Sequence, residues 1–130
     1  MTSRPKQVVF FVHDFQESPL TRKHYLEMSG FDVTLMRSGD ECIKAMAVTK
    51  PALVLMDVLL EGKNGFEVCR AIRELAGATE VPVVLCTHFY RSRIYRDEAV
   101  AAGAQRYVLL PVKLDELLAQ VVELTAAKAR

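Results

Sequence analysis

Apolar residues gather along the chain in five short runs: Val8 to Val12, Val33 to Met36, Leu53 to Met56, Val83 to Cys86 and Tyr107 to Leu110. Each has the length of a strand, and none shows the polar alternation of a half-exposed sheet. Near-continuous apolarity is what parallel strands covered on both faces require. The stretches between them carry helix signals. Ser18-Pro19 reads as an N-cap followed by proline at the first helical position, and Gly30 marks the end of that first helix. Ser38-Gly39-Asp40-Glu41 matches a capping box, so a second helix opens there and runs to about Val48, burying Cys42, Ile43, Met46 and Ala47, with Pro51 beyond. A third, after Gly65, buries Phe66, Cys69, Ile72 and Ala76, and a fourth runs from about Arg91 to Gly103. In the last helix Leu114, Leu117, Leu118, Val121 and Val122 recur at three and four residues as one apolar face. Strand and helix alternate five times. The pattern predicts an α/β fold, a doubly wound (βα)5 domain with five parallel strands in the order 2-1-3-4-5.

Composition narrows the classes. At 130 residues and 51% apolar content, one continuous core suffices, so residues 1–130 are read as one domain with its core at about 6–126. Seventeen basic against sixteen acidic residues leave a formal charge of +1. No global field draws nucleic acid or an anionic membrane, and neither is expected as a direct partner. The basic start MTSRPK precedes an apolar run too short for a signal core or a membrane span, so a cytoplasmic location is expected. Cys42, Cys69 and Cys86 are too far apart for C-x-x-C redox or zinc chemistry and read as reduced, buried thiols.

In a doubly wound sheet, ligands bind beyond the carboxyl ends of the strands, where the strand order reverses. There the first strand ends in His13-Asp14, the third in Asp57, the fourth in Thr87-His88 and the fifth in Leu110-Pro111. Two carboxylates, a hydroxyl and two imidazoles therefore converge on one rim, and oxygen ligands of this kind suit Mg2+. An aspartate straight after Leu53-Val54-Leu55-Met56 is foreign to a buried strand and natural at its open mouth. It reads either as a loop cap or as a functional carboxylate. The sequence has no G-x-G-x-x-G, P-loop or Ser-His-Asp order, which disfavours a nucleotide-dependent or flavodoxin-like enzyme.

With these residues placed, the chain resembles the receiver domain of two-component response regulators, from about Lys6 to Ala126. The motifs that carry the resemblance are LVLMD ending in Asp57, Gly65-Phe66-Glu67-Val68 after the loop, VVLCT ending in Thr87, Gly103-Ala104 before the fifth strand, and Tyr107 within it. The resemblance implies a flavodoxin-like fold and a non-enzymatic signalling role. It makes Asp57 the acceptor of a phosphoryl group from a histidine kinase or phosphotransfer protein, Thr87 its hydroxyl partner and Tyr107 the switching aromatic. It also implies Mg2+ held by Asp14, Asp57 and the backbone carbonyl of Leu59. The downstream protein partner is expected on helix four, strand five and helix five, and a homodimer is left open.

The site departs from that family where its charge is set. His13 stands in place of the first of two acids, Leu110 in place of the lysine before the proline of strand five, and His88 in place of a small residue. Asp14 and Asp57 with a neutral His13 give a formal −2, the same as the usual three carboxylates and one lysine. Without that lysine the phosphoryl oxygens lose a charge-assisted bond worth about 1.5 to 3 kcal/mol. A protonated His13 would supply a cation, since unperturbed histidine has a pKa of about 6.5. His88 is open to three roles: covering the site, bonding Asp57, or facing solvent. Arg91, Arg93 and Arg96 read as a solvated face or as part of a docking surface, and Lys113 as a solvated residue at the start of the last helix. Two functions follow: a phosphorylatable receiver, or a pseudo-receiver acting as a phosphorylation-independent interaction module. The tail Thr125-Ala126-Ala127-Lys128 would suit a linker.

Overall fold

The computed structural model describes residues 5–13, 18–75 and 77–129. Strands β1 (Val8–Val12), β2 (Asp32–Met36), β3 (Leu53–Asp57), β4 (Val83–Thr87) and β5 (Arg106–Leu109) alternate with helices α1 (Leu20–Met28), α2 (Gly39–Val48), α3 (Gly65–Glu74), α4 (Arg93–Ala102) and α5 (Leu114–Ala129). The strands are all parallel and lie in the order β2-β1-β3-β4-β5. The predicted flavodoxin-like topology is the one observed.

Alternation along the strands sorts the core into two layers. Phe10, Val12, Val54, Met56, Val83 and Leu85 pack with Cys42 and Met46 of α2, Phe66, Cys69 and Ile72 of α3, and Ala99 and Ala102 of α4. Val9, Phe11, Leu53, Leu55, Val84 and Cys86 pack on the opposite face with Leu26 of α1 and Leu117 and Val121 of α5. Because β1, β3 and β4 are covered on both sides, period-two patterning disappears from their sequences. It survives on the edge strand β2, where Asp32 and Thr34 are exposed while Val33 and Met36 are buried.

Helix boundaries follow local chemistry, with some corrections. Ser38 accepts from Glu41 N at 3.2 Å as predicted, but the Glu41 carboxylate reaches one residue further back, to Arg37 N at 3.0 Å. Pro19 is itself the N-cap of α1 rather than its first helical residue, and Ser18 Oγ accepts from Leu20 N at 3.3 Å. Helix α4 starts two residues after Arg91 and ends at Gly103, whose φ of 92° suits a residue without Cβ. On α2, Ala47 is exposed and Ala45 takes the inner position; on α5, Val122 is 46% exposed and the face continues through Leu124 and Thr125. Both errors fall at the margin of an apolar stripe, where spacing alone does not say which flank meets the sheet. Ala76 lies outside the described residues.

A single arginine ties one side of the molecule together. From the last turn of α3, Arg73 donates to Gly103 O through Nε at 3.0 Å and Nη2 at 2.7 Å, to Val81 O at 2.7 Å and Ala78 O at 3.2 Å, and to Gln105 Oε1 at 2.8 Å. Gln105 Oε1 accepts in turn from Val83 N at 2.7 Å. The turns entering β4 and β5 are thereby fastened to α3.

Candidate functional site

The site lies at the carboxyl ends of β1, β3, β4 and β5. Asp57 continues the register of Leu53 and Leu55, and His13 that of Val9 and Phe11, so both emerge on the face covered by α1 and α5. His13 is 1% exposed, and its Nε2 lies 3.3 Å from Asp57 Oδ2. Its ring meets the Phe11 ring edge-on at 5.6 Å between centroids. The histidine thus reaches Asp57 directly.

Sequence reasoning missed the second neighbour of Asp57. Arg22, from the first turn of α1, brings Nη1 to 3.6 Å from Asp57 Oδ1, with side chains 12% and 14% exposed. Its guanidinium carbon lies 4.8 Å from the centre of the Phe11 ring. The weakly hydrated, delocalised arginine head is suited to such a semi-buried, aromatic-backed setting. One sequence signal could have found it: Arg22 precedes the fully buried Leu26 by four residues, so both lie on the stripe of α1 that faces the sheet. The charge count drawn from sequence left this guanidinium out, and it adds one positive charge beside the Asp57 carboxylate.

The loop after β3 is fixed close to Asp57. Val58 N donates to Cys86 O at 2.9 Å and Gly65 N to Val58 O at 2.8 Å. A Cβ on Gly65 would stand 2.8 Å from Asp57 O and 2.9 Å from Val58 Cα, so only glycine lets α3 begin this near the strand. Asn64 and Glu67 form a full capping box at the same helix start. The Gly-Phe-Glu motif is therefore a packing and capping device that seats the loop carrying Leu59, which is half-buried.

Thr87 is 4% exposed, and its Oγ1 accepts from Phe89 N at 3.0 Å and Tyr90 N at 3.2 Å. The hydroxyl holds the loop after β4 and keeps its proton to donate. Tyr107 O–H donates to Tyr90 O at 2.6 Å, with its ring stacked 6.2 Å from Phe66. Burial pushes the Tyr107 phenol up to about 12, against a downward pull from Arg96. Leu110, 6% exposed, belongs to the α1/α5 layer of the core; β5 itself ends at Leu109. Arg91, read from sequence as part of a solvated run or docking face, donates from Nη1 to Leu110 O at 2.7 Å. Arg93 and Arg96 are exposed, and Lys113 is a solvated residue ahead of α5. His88 is half-buried, its ring tilted at 64° to that of Phe89.

The three cysteines are free and buried. Burial pushes the Cys86 thiol up to about 12, the nearby Asp57 charge adds to this, and Arg22 opposes it. Burial likewise pushes Cys42 up to about 12.

Asp14 lies outside the described residues. Of the oxygen donors expected for Mg2+, those described are the Asp57 carboxylate and the Leu59 carbonyl. Among the described residues no three His, Cys, Asp or Glu side chains converge as a metal site. The described donors suit a hard cation in type but are too few by themselves. No helix among these residues is long and apolar enough to cross a membrane.

Comparison with known proteins agrees with the geometry. Among curated proteins, the chain is 35% identical over 96 residues to the DNA-binding response regulator MtrA of Mycolicibacterium smegmatis, an alignment covering 74% of this chain and 40% of MtrA. It is 30% identical over 110 residues to the phosphate regulon transcriptional regulatory protein PhoB of Rhizobium meliloti, covering 85% of this chain and 48% of PhoB. The chain thus spans less than half the length of these relatives. In fold it is similar to the CheY-like receiver domain protein of Methanospirillum hungatei (TM-score 0.87, 22% identity, 96% of this chain and 98% of that one). It is also similar to the receiver domain of the sensor histidine kinase PA1611 of Pseudomonas aeruginosa, which has a magnesium ion in its active-site cleft (TM-score 0.85, 23% identity, 94% and 99%). The model of the response regulator receiver domain matches residues 9–122, and the chain belongs to that family.

Proposed function

We propose that this receiver accepts a phosphoryl group on Asp57 from a histidine kinase or phosphotransfer protein and signals through a changed protein-binding face, in the cytoplasm and as one domain. The observation that carries the reading is the Asp57 carboxylate at the open end of β3, partly accessible and steadied by His13 and Arg22. An Asp57 oxygen attacks phosphorus, the O–P bond forms, the P–N bond to the donor histidine breaks, and the electron pair leaves with the imidazole. Positioning and local charge, more than covalent help from the protein, govern such a transfer. Magnesium would be held by Asp14, Asp57 and the Leu59 carbonyl and would offset anionic charge there.

The output would travel through Thr87 and Tyr107. A phosphoryl oxygen accepting the Thr87 O–H proton would pull on the group that holds Phe89 N and Tyr90 N, and Tyr90 O is also the acceptor of Tyr107. A change at Thr87 would thus reach Tyr107 on β5 and the loop ahead of α4, on which Ile94 and Val100 are 70% and 74% exposed and available to a partner; α5 is proposed to complete that face.

A second reading, a pseudo-receiver that binds its partner without phosphorylation, is favoured by the same two neighbours, which already stand against Asp57, and by Leu110. Incubation with Mg2+ and acetyl phosphate, followed by intact mass, separates the two. A gain of one phosphoryl group that Asp57→Asn abolishes supports the acceptor; no gain in a folded protein, beside a control receiver that labels, refutes it in favour of the interaction module.

A further inference from the structure

We infer that Arg22 is the phosphoryl-binding cation of this site, supplied from α1 in place of a lysine at the end of β5. The inference deepens the acceptor reading and rests on it. Three observations point the same way. Leu110 fills the β5 position with a buried alkyl group that belongs to the core layer beneath Asp57, and its carbonyl is engaged by Arg91. On the same face of the sheet, Arg22 enters from the opposite flank and faces Asp57 Oδ1. Its Nη1 is buried and has no hydrogen-bond partner among the described residues.

A buried guanidinium donor without an acceptor is costly, so its placement calls for an acceptor that the unmodified carboxylate does not provide. At 3.6 Å, Nη1 lies too far from Oδ1 for a hydrogen bond. A phosphoryl group on Asp57 carries three further oxygens outward from the carboxylate and can close that gap. The Phe11 ring supports the guanidinium from behind, so little ordering is left to be done during transfer. With acetyl phosphate as donor, an Asp57 oxygen forms the bond to phosphorus, the P–O bond to acetate breaks, and acetate leaves with the electron pair. Arg22 keeps its protons and meets the charge that gathers on the equatorial oxygens.

The two possible cation positions are tested by a cycle of four proteins: wild type, Arg22→Gln, Leu110→Lys and the double variant. Labelling by acetyl phosphate is timed by intact mass, and each protein is first shown to be folded by circular dichroism. Arg22→Gln is expected to label about 10- to 100-fold more slowly, the loss of one charge-assisted bond in the transition state. Leu110→Lys should change the wild-type rate by less than about threefold yet recover about tenfold or more when combined with Arg22→Gln, because one cation suffices. An equal gain from Leu110→Lys in both backgrounds overturns the inference, as does Arg22→Gln labelling as fast as wild type or faster. Should Arg22→Gln fail to fold, Arg22→Lys takes its place, with a loss of about two- to tenfold expected from a point charge that lacks the planar fork and an unchanged rate overturning the inference. If wild type itself does not label, the acceptor reading fails; if it labels and the cycle is flat, only the role of Arg22 fails.

Discussion

Replacing Thr87 by valine separates the hydroxyl from the shape of the side chain. The Oγ1 atom accepts from two amides, Phe89 N at 3.0 Å and Tyr90 N at 3.2 Å, and the substitution leaves both without that acceptor. Each such bond is worth about 0.5 to 1.5 kcal/mol, at the lower end here because Phe89 is 65% exposed and water can reach the loop. The methyl that replaces the hydroxyl returns up to about 0.8 kcal/mol of apolar burial at a site that is 4% exposed. With the full methyl return the expected net cost is about 0.2 to 1.2 kcal/mol, or roughly 0.1 to 0.6 M in the urea midpoint at a slope typical of small domains. Global stability alone does not isolate the cause, since Thr87→Ser loses a buried methyl at similar cost. Amide hydrogen exchange does. The Phe89 and Tyr90 amides should exchange about tenfold faster in the valine variant than in wild type, relative to the amides of β1 and β3, and be little changed in the serine variant. Equal protection of these two amides in all three proteins would refute the assignment of Thr87 as the anchor of this loop, and with it the path from Asp57 to Tyr107.

Two other outcomes follow from the packing. Gly65→Ala places a methyl against Asp57 O and Val58 Cα, backbone atoms that cannot yield cheaply. Thermal unfolding should register a loss of about 1 to 3 kcal/mol, and labelling of Asp57 should slow as the loop shifts. The buried thiols should resist a thiol reagent at pH 8 in the native protein, since Cys42 and Cys86 are raised to about 12, and three thiols per chain should react once it is unfolded. These cysteines are neutral in the folded state well beyond the pH at which an unfolded thiol ionises. Their contribution to stability is full below pH 9 and is lost as pH rises through about 12, so urea midpoints should fall across that alkaline window and not below it.

Sequence patterns revealed the sheet because its strands are buried on both faces, which leaves unbroken apolar runs that few other structures need. Asp57 was legible for the same reason: a carboxylate ending such a run belongs at a mouth. Arg22 was not, because a basic residue on a nine-residue helix is ordinarily solvated, and only the depth of Leu26 one turn later shows that its stripe faces inward. Arg91 escaped for a related reason, since the carbonyl it binds comes from Leu110, nineteen residues away, and backbone acceptors leave no trace in sequence. The margins of α2 and α5 were misjudged at Ala47 and Val122, where a 3.6-residue period fixes the centre of a buried stripe better than its edges.

Arg73 bears on how this chain can change over time. Its planar fork serves carbonyls that diverge from one another, those of Gly103 and Val81, together with Gln105. A lysine ammonium in the place of Nη2 could serve Gly103 O and Gln105 Oε1 but not also Val81 O, which Nη1 holds, and an apolar side chain would strand all three. No other side chain serves all of these acceptors, although Arg73 touches none of the residues at the carboxyl ends of the strands. Around Asp57, by contrast, the nearby guanidinium comes from α1, while Leu110 ahead of Pro111 is a buried alkyl group. Substitution of Arg73 should therefore loosen the turns entering β4 and β5 on the α3 side, at a distance from Asp57.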